Sequence, residues 1–188
     1  MATNLVKVTE GTPIVWADTT DYSSTVSGLT RTDQIDLTDV AAGAARQGAK
    51  HDFTATKATR YKVIVGIEFV SASVSGEEVM FYHASSPSGT AGNANPGGTS
   101  GTDAAYTGTA GDSLADSLAQ LTPIGPLTTT SDNTTVVQYQ VVGYVNGDDM
   151  LRYGMPVAFF DTTGAAMTDA VEMYIAYIPD NPDIQAAA

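Results

Sequence analysis

The sequence predicts an all-β protein, a single β-sandwich of about eight short strands. Three observations carry this. Thr, Val, Gly, Ser and Tyr are plentiful while Leu, Glu, Lys and Arg are scarce, a balance that favours strands and turns. Apolar residues recur at every second position in several segments, the spacing that lines one face of a half-buried strand. Gly, Pro, Asn and Ser punctuate the chain between those segments, where turns belong. The 188 residues, 43% hydrophobic, are enough to bury one core, and jelly-roll topology is the expected winding.

In chain order, residues 1–30 are Thr/Ser-rich and weakly patterned, with one apolar cluster at Ile14, Val15 and Trp16. They read as an N-terminal arm with a short strand, or as an edge strand of the domain formed by residues 31–188. In DQIDLTDV (33–40), Ile35 and Leu37 point one way and Asp36 the other. Residues 41–50 read as a loop or a short turn of helix. Arg60–Ser71 is the clearest strand, with Tyr61, Val63, Val65, Ile67 and Phe69 on one face, because period two cannot form a helical stripe. Glu78–Ala84 follows as the next strand of a hairpin-like pair after the Ser75-Gly76 turn.

Residues 85–111 are dominated by Gly, Pro, Asn, Ser and Thr and read as one long loop, functional or mobile and tolerant of small polar substitutions. A short helix comes next: Ser113 with Asp116 resembles a capping box, Leu114, Leu118 and Leu121 share a face, and Pro123 ends it. Thr134–Val145 places Val137, Tyr139, Val141 and Val145 on one face and Gln138, Gln140 and Tyr144 on the other. Leu151–Asp161 contains the apolar run MPVAFF, and Ala170–Pro179 presents Val171, Met173, Ile175 and Tyr177. Asn146-Gly147 is a strong turn signal between the first two of these strands.

Chemistry-bearing motifs are sparse. The chain has no cysteine and two histidines, His51 and His83, with no HxxH spacing for zinc. No GxSxG elbow and no phosphate-binding glycine motif occurs. No residue is assigned a catalytic role and no cofactor is expected. His83 reads as a loop anchor, a pH-sensitive group or a polar strand end, and His51 as a solvated partner of Asp52. Glu77 and Glu78 fall on opposite faces of a strand. Asn146, Asp148 and Asp149 could bind calcium or serve the turn locally. The tyrosines and Trp16 could stack on sugars, but most lie at core-facing positions.

The net charge of −13 is unevenly placed. Residues 1–62 hold seven basic and seven acidic side chains, whereas residues 63–188 hold Arg152 against fourteen acidic ones. Such a field repels phosphates, so no nucleic-acid partner is expected. The N-terminus lacks an apolar run of signal-peptide length and no membrane-length apolar run occurs. No membrane partner is therefore expected. The acidity keeps the protein soluble; on a second reading, residues 1–62 face a partner and the acidic remainder faces solvent.

The segments TDQIDLTDVAAGAARQGAKHDF (32–53), RYKVIVGIEF (60–69), FYHASSPSGTAGNANPGG (81–98), VVGYVNGDDMLRYG (141–154) and AVEMYIAYIP (170–179) resemble a group of small virion proteins from tailed phages. The resemblance spans about residues 31–180, and its distinctive part is the stretch 81–98. It implies a structural particle component and transfers no catalytic residue. The expected role is a capsid decoration (cement) protein on the head exterior, bound to the major capsid protein and to neighbouring copies as a homo-oligomer, a trimer. The alternatives are a glycan-binding or adhesive module and a tail or neck structural protein. Expected contact residues are Ile14, Val15 and Trp16 on the arm and Pro87, Asn93, Asn95 and Pro96 on the long loop. For the fold, replacing the core-facing Phe69 by Ala should cost about 3–5 kcal/mol in chemical denaturation, and a loss under about 1 kcal/mol would place Phe69 on the surface.

Overall fold

The computed structural model describes residues 5–20, 22–53, 57–69, 74–130, 137–162 and 173–185. Among them are twelve strands: β1 Leu5–Glu10, β2 Ile14–Ala17, β3 Asp33–Gln34, β4 Ala45–Gln47, β5 His51–Asp52, β6 Arg60–Ile67, β7 Glu78–Ser86, β8 Ala104–Tyr106, β9 Thr122–Thr128, β10 Gln138–Asn146, β11 Tyr153–Asp161 and β12 Tyr174–Gln185. Two short helices, α1 Ser24–Ser27 and α2 Leu114–Leu118, lie in the connections.

The strands form two sheets packed face to face. One runs β10-β6-β12-β2-β3, with β1 continuing beside the far half of β12; the other runs β8-β4-β11-β7-β9, with β5 also on β11. Eight strands make the frame, and their order follows a simple rule. Counted in chain order, the first (β2) pairs with the eighth (β12), the second (β4) with the seventh (β11), the third (β6) with the sixth (β10), and the fourth (β7) with the fifth (β9). Every one of these pairings is antiparallel. The chain is thus one long hairpin bent at its middle and wound into a sandwich.

The core between the sheets is built from alternate residues of each strand. Tyr61, Val63, Val65, Ile67 and Phe69 are all buried, as their period-two spacing predicts. Val79, Phe81, Ala158, Phe160, Ile175 and Tyr177 meet them from the neighbouring strands. Each outer face carries a smaller apolar cluster. Met155, Val157 and Ala84 are covered by Tyr106, Leu118 and Leu121, and Val15, Ala17, Tyr174 and Ala176 by Tyr22 and Leu29. Residues that connect the strands therefore bury both outer faces in part.

Several expectations need correction. Residues 14–17 are not an arm: β2 lies inside the first sheet between β12 and β3, with Val15, Trp16 and Ala17 fully buried. Both faces of β2 are covered, so it carries no alternation by which to be recognised. β6 and β7 do not form a hairpin, because they belong to opposite sheets, and the Asn146-Gly147 turn likewise joins β10 to β11 across the sandwich. Residues 45–47 of the expected loop are strand β4. In β10 a register shift between Val141 and Gly143 breaks the alternation. It turns Val142 and Val145 inward and leaves Tyr139, Val141 and Tyr144 exposed. β9 escaped notice because Pro123, Gly125 and Pro126 interrupt it, which only an edge strand tolerates. Val171 lies outside the described residues.

The sandwich closes along one side where β9 meets β10. A Cβ on Gly125 would lie 2.1 Å from the Val142 carbonyl oxygen, and one on Gly143 would lie 2.3 Å from that of Ile124. The Gln140 side chain accepts from the Thr128 N–H at 3.2 Å, adding a rung between the two edges. Closure on this side hides strand edges that would otherwise invite pairing. Gly143→Ala should therefore destabilise the fold by about 1–3 kcal/mol, as backbone overpacking does, read as a lowered urea midpoint at unchanged slope.

Candidate functional site

The surface loop after β7 is folded around a single cation. Lys50 follows β4, and its Nζ donates to Ser86 Oγ at 3.1 Å and to the carbonyl oxygens of Ser88 at 2.9 Å, Thr90 at 3.0 Å and Asn93 at 3.4 Å. Ser86 Oγ also donates to the carbonyls of Ser88 and Asn93. The Lys50 N–H donates to the Gly101 carbonyl at 3.1 Å, and the Ser100 N–H to Gln47 Oε1 at 2.7 Å. The loop is thereby fixed at both ends of its excursion by residues 47–50. Burial lowers the Lys50 pKa from the ordinary lysine value, and the four oxygens offset that loss of water.

The rest of the loop is packed. The 3-10 turn Pro96–Gly98 is stitched by Thr99 Oγ1 donating to the Pro96 carbonyl at 2.9 Å and by the Tyr106 hydroxyl donating to the Gly97 carbonyl at 2.5 Å. A Cβ on Gly98 would lie 2.6 Å from the backbone of Gly108 and Thr109. Residues 89–94 are its longest exposed run, and Pro87, Thr102, Ala105, Thr107 and residues 109–111 are exposed as well. Helix α2 follows, capped as its sequence predicts: Ser113 Oγ accepts from the Asp116 N–H at 3.1 Å.

The expected contact residues divide. Pro87 and Asn93 are exposed, whereas Asn95 and Pro96 are half-buried, with Asn95 Nδ2 donating to the Thr99 carbonyl at 2.8 Å. Ile14 is half-buried, and the contact role expected of Val15 and Trp16 falls with their burial. Trp16 Nε1 instead donates to the Ala49 carbonyl at 2.7 Å. Lys50 went unnoticed in the sequence. The signal for it was present: residues 84–102 contain no charged side chain, so a folded loop there needed an outside donor for its inward carbonyls.

Comparison with known proteins returned no matching family model, no matching curated protein and no matching solved structure.

The remaining singled-out groups serve the fold. Asn146 donates to Asp149 Oδ2 at 3.2 Å within the 3-10 turn Gly147–Asp149. Among the described residues no group of three or more His, Cys, Asp or Glu side chains is placed to hold a metal ion. His51 does not pair with Asp52. Its Nδ1 lies 2.6 Å from Asp33 Oδ2, while Asp52 takes a two-pronged contact from Arg152 at 3.0 and 2.8 Å. His83 is not at a strand end but inside β7, buried among Phe53 and Tyr177, with Nδ1 3.2 Å from the Tyr177 hydroxyl. Its Nε2 has no partner among the described residues.

Burial pulls the His83 pKa down from 6.5 to about 4 and pushes that of Tyr177 up. With its folded value below the unfolded one, His83 gives up stability as pH falls from about 6.5 towards about 4 and none above that window. Between pH 7 and pH 5 the protein should lose about 2 kcal/mol more in urea unfolding than His83→Gln does. Equal losses in the two proteins would show that His83 is not buried neutral.

Proposed function

We propose that the protein is a structural component of a tailed-phage particle, a decoration protein that binds the outside of the head through the major capsid protein and neighbouring copies of itself. The observation that carries this reading is the coincidence of sequence and place. Residues 81–98, the most distinctive part of the resemblance to small virion proteins, end in the surface loop that Lys50 holds rigid. A rigid loop loses little conformational entropy on docking, and many modest contacts suffice on a shell of repeated sites. We read the strand order, in which first pairs with eighth and fourth with fifth, as jelly-roll winding. Such a frame presents its connecting loops at the ends of the sandwich.

A glycan-binding role is the second reading. It is favoured by Tyr139, which is 53% exposed on the outer face of β10 and offers an aromatic face for sugar stacking; the Arg60 guanidinium already covers one face of the neighbouring Tyr144, 4.5 Å from its centroid.

The purified protein should bind undecorated heads, and particles should carry on the order of hundreds of copies, the stoichiometry of a repeated shell site. Quantitative mass spectrometry of purified particles reads the copy number. A dozen or fewer would move the protein to the tail or neck. Binding on a glycan array that is lost in Tyr139→Ala, without binding to heads, would favour the adhesive reading.

A further inference from the structure

We propose that the open edge of β1 is a docking edge for a second copy of this chain, which adds its own β1 antiparallel across a two-fold axis. The Gly11 N–H donates to the Pro179 carbonyl at 2.8 Å. The β1–β12 register continues in step from there, with Thr9 opposite Asn181, Lys7 opposite Asp183 and Leu5 opposite Gln185. Hydrogen-bonded pairs alternate along an antiparallel ladder. These odd-numbered residues therefore turn their backbone groups to β12, and Val6, Val8 and Glu10 turn theirs to the other side. No strand pairs with β1 on that side among the described residues. β12 has also left β6 by this point, since their pairing ends with Asp180 opposite Arg60. What continues is a ribbon of two strands, which alone is marginally stable in water.

The two edges of the ribbon differ. On β12 the alternation turns Pro182 outward, and a proline has no N–H to offer there, which is one way edges are closed to pairing. β1 has neither proline nor glycine and keeps unbroken register over its six residues. A second copy suits this edge because the edge is its own complement. With Val8 set opposite Val8, Val6 of each copy meets Glu10 of the other, so every outward residue of β1 on both chains gains a hydrogen-bonded partner. Lys7 then stands opposite Thr9, and no like charges face each other. The local charge permits the approach. In a protein of net charge −13, Lys7, Arg60 and Lys62 balance Glu10, Asp180 and Asp183 at this end of the sheet, and two copies repel least where the local sum is zero. The joined ribbons make a four-stranded sheet, β12-β1-β1-β12, with the same patch used on both copies. The pair is two-fold where the resemblance implies a trimer. It supplies a contact between copies that the decoration role calls for, but it rests on the ribbon and not on that role.

Two measurements on the full chain test the edge. In the first, sedimentation velocity over a range of concentrations should show a reversible dimer. Val8→Pro removes an N–H that faces the partner and none that faces β12. It should weaken the dimer at least about tenfold, through the two bonds lost across the axis. Ile184→Pro is the control: Ile184 lies opposite Val6 and turns its N–H to the far edge of β12, so the dimer should persist. In the second, hydrogen exchange is followed on the unsubstituted protein. The amides of Val6, Val8 and Glu10 should exchange more slowly as concentration rises through the dimerisation range, while that of Ile184 stays unchanged. A protein that stays monomeric, a dimer or trimer undiminished by Val8→Pro, equal weakening by Ile184→Pro, or exchange at the three amides that ignores concentration overturns the proposal. A monomer that binds undecorated heads and loses them in Val8→Pro would hand the edge to the shell protein, overturning the second copy and leaving the decoration reading intact. A dimer that behaves as expected but leaves heads bare upholds the edge, and the decoration reading fails.

Discussion

Core and surface loop are joined through one short stretch of chain, Gln47–Phe53, which contributes residues to both. Gly48 abuts the Trp16 indole so closely that a Cβ there would lie 2.9 Å from the ring. The Ala49 carbonyl accepts the indole N–H, and Phe53 packs against Trp16, Tyr61 and Tyr177. Between these anchors, Gln47 and Lys50 reach the other way and hold the loop. Lys50 is a long, flexible side chain that would lose its rotamer freedom at a cost of about 2 kcal/mol if it alone had to define the loop. Its backbone is instead set by the burial of its neighbours. The loop thus inherits its position from the core.

The same dependence explains what the sequence made legible. β6 was visible because one face is buried and the other is not, so period two survives in Tyr61–Phe69. β2, buried on both faces, and β4 and β8, with three residues each, have no alternation to display. The bulge in β10 moved Tyr139 and Val141 to the outside although their spacing matched Val145. A one-residue slip exchanges the faces of a strand, and nothing local to Gln138–Val142 announces it. Sheet membership was the least legible property. Turn residues such as Asn146-Gly147 specify a reversal, but which sheet receives the next strand is decided by partners more than a hundred residues away, as in the pairing of β2 with β12.

The candidate site was half legible for a related reason. Gly, Ser, Asn and Pro mark residues 85–111 as a loop, and those residues are normally read as mobile because they lack apolar anchors. Here the anchor is polar. Inward carbonyls gathered on one ammonium give the loop a small centre of its own, and Tyr106 with Leu118 and Leu121 pins its far part to the second sheet. The composition describes the loop alone, whereas its rigidity comes from Lys50, which lies before β6 and β7 in the chain.

Charge placement then acquires a structural meaning. The split at residue 62 suggested a neutral foot and an acidic remainder, but the wound hairpin interleaves the two halves: β2 lies against β12 and β4 against β11. Half of the eight basic side chains pair with carboxylates of the same chain among the described residues. Arg46 pairs with Asp103, Arg60 with Asp180, Lys62 with Glu10 and Arg152 with Asp52. Three of these four pairs join a residue from the first 62 to an acid or base from the rest. The linear charge map therefore does not survive folding as two surfaces. Lys50 and Lys57 instead donate to backbone oxygens, Lys50 within the loop and Lys57 to the Met150 carbonyl.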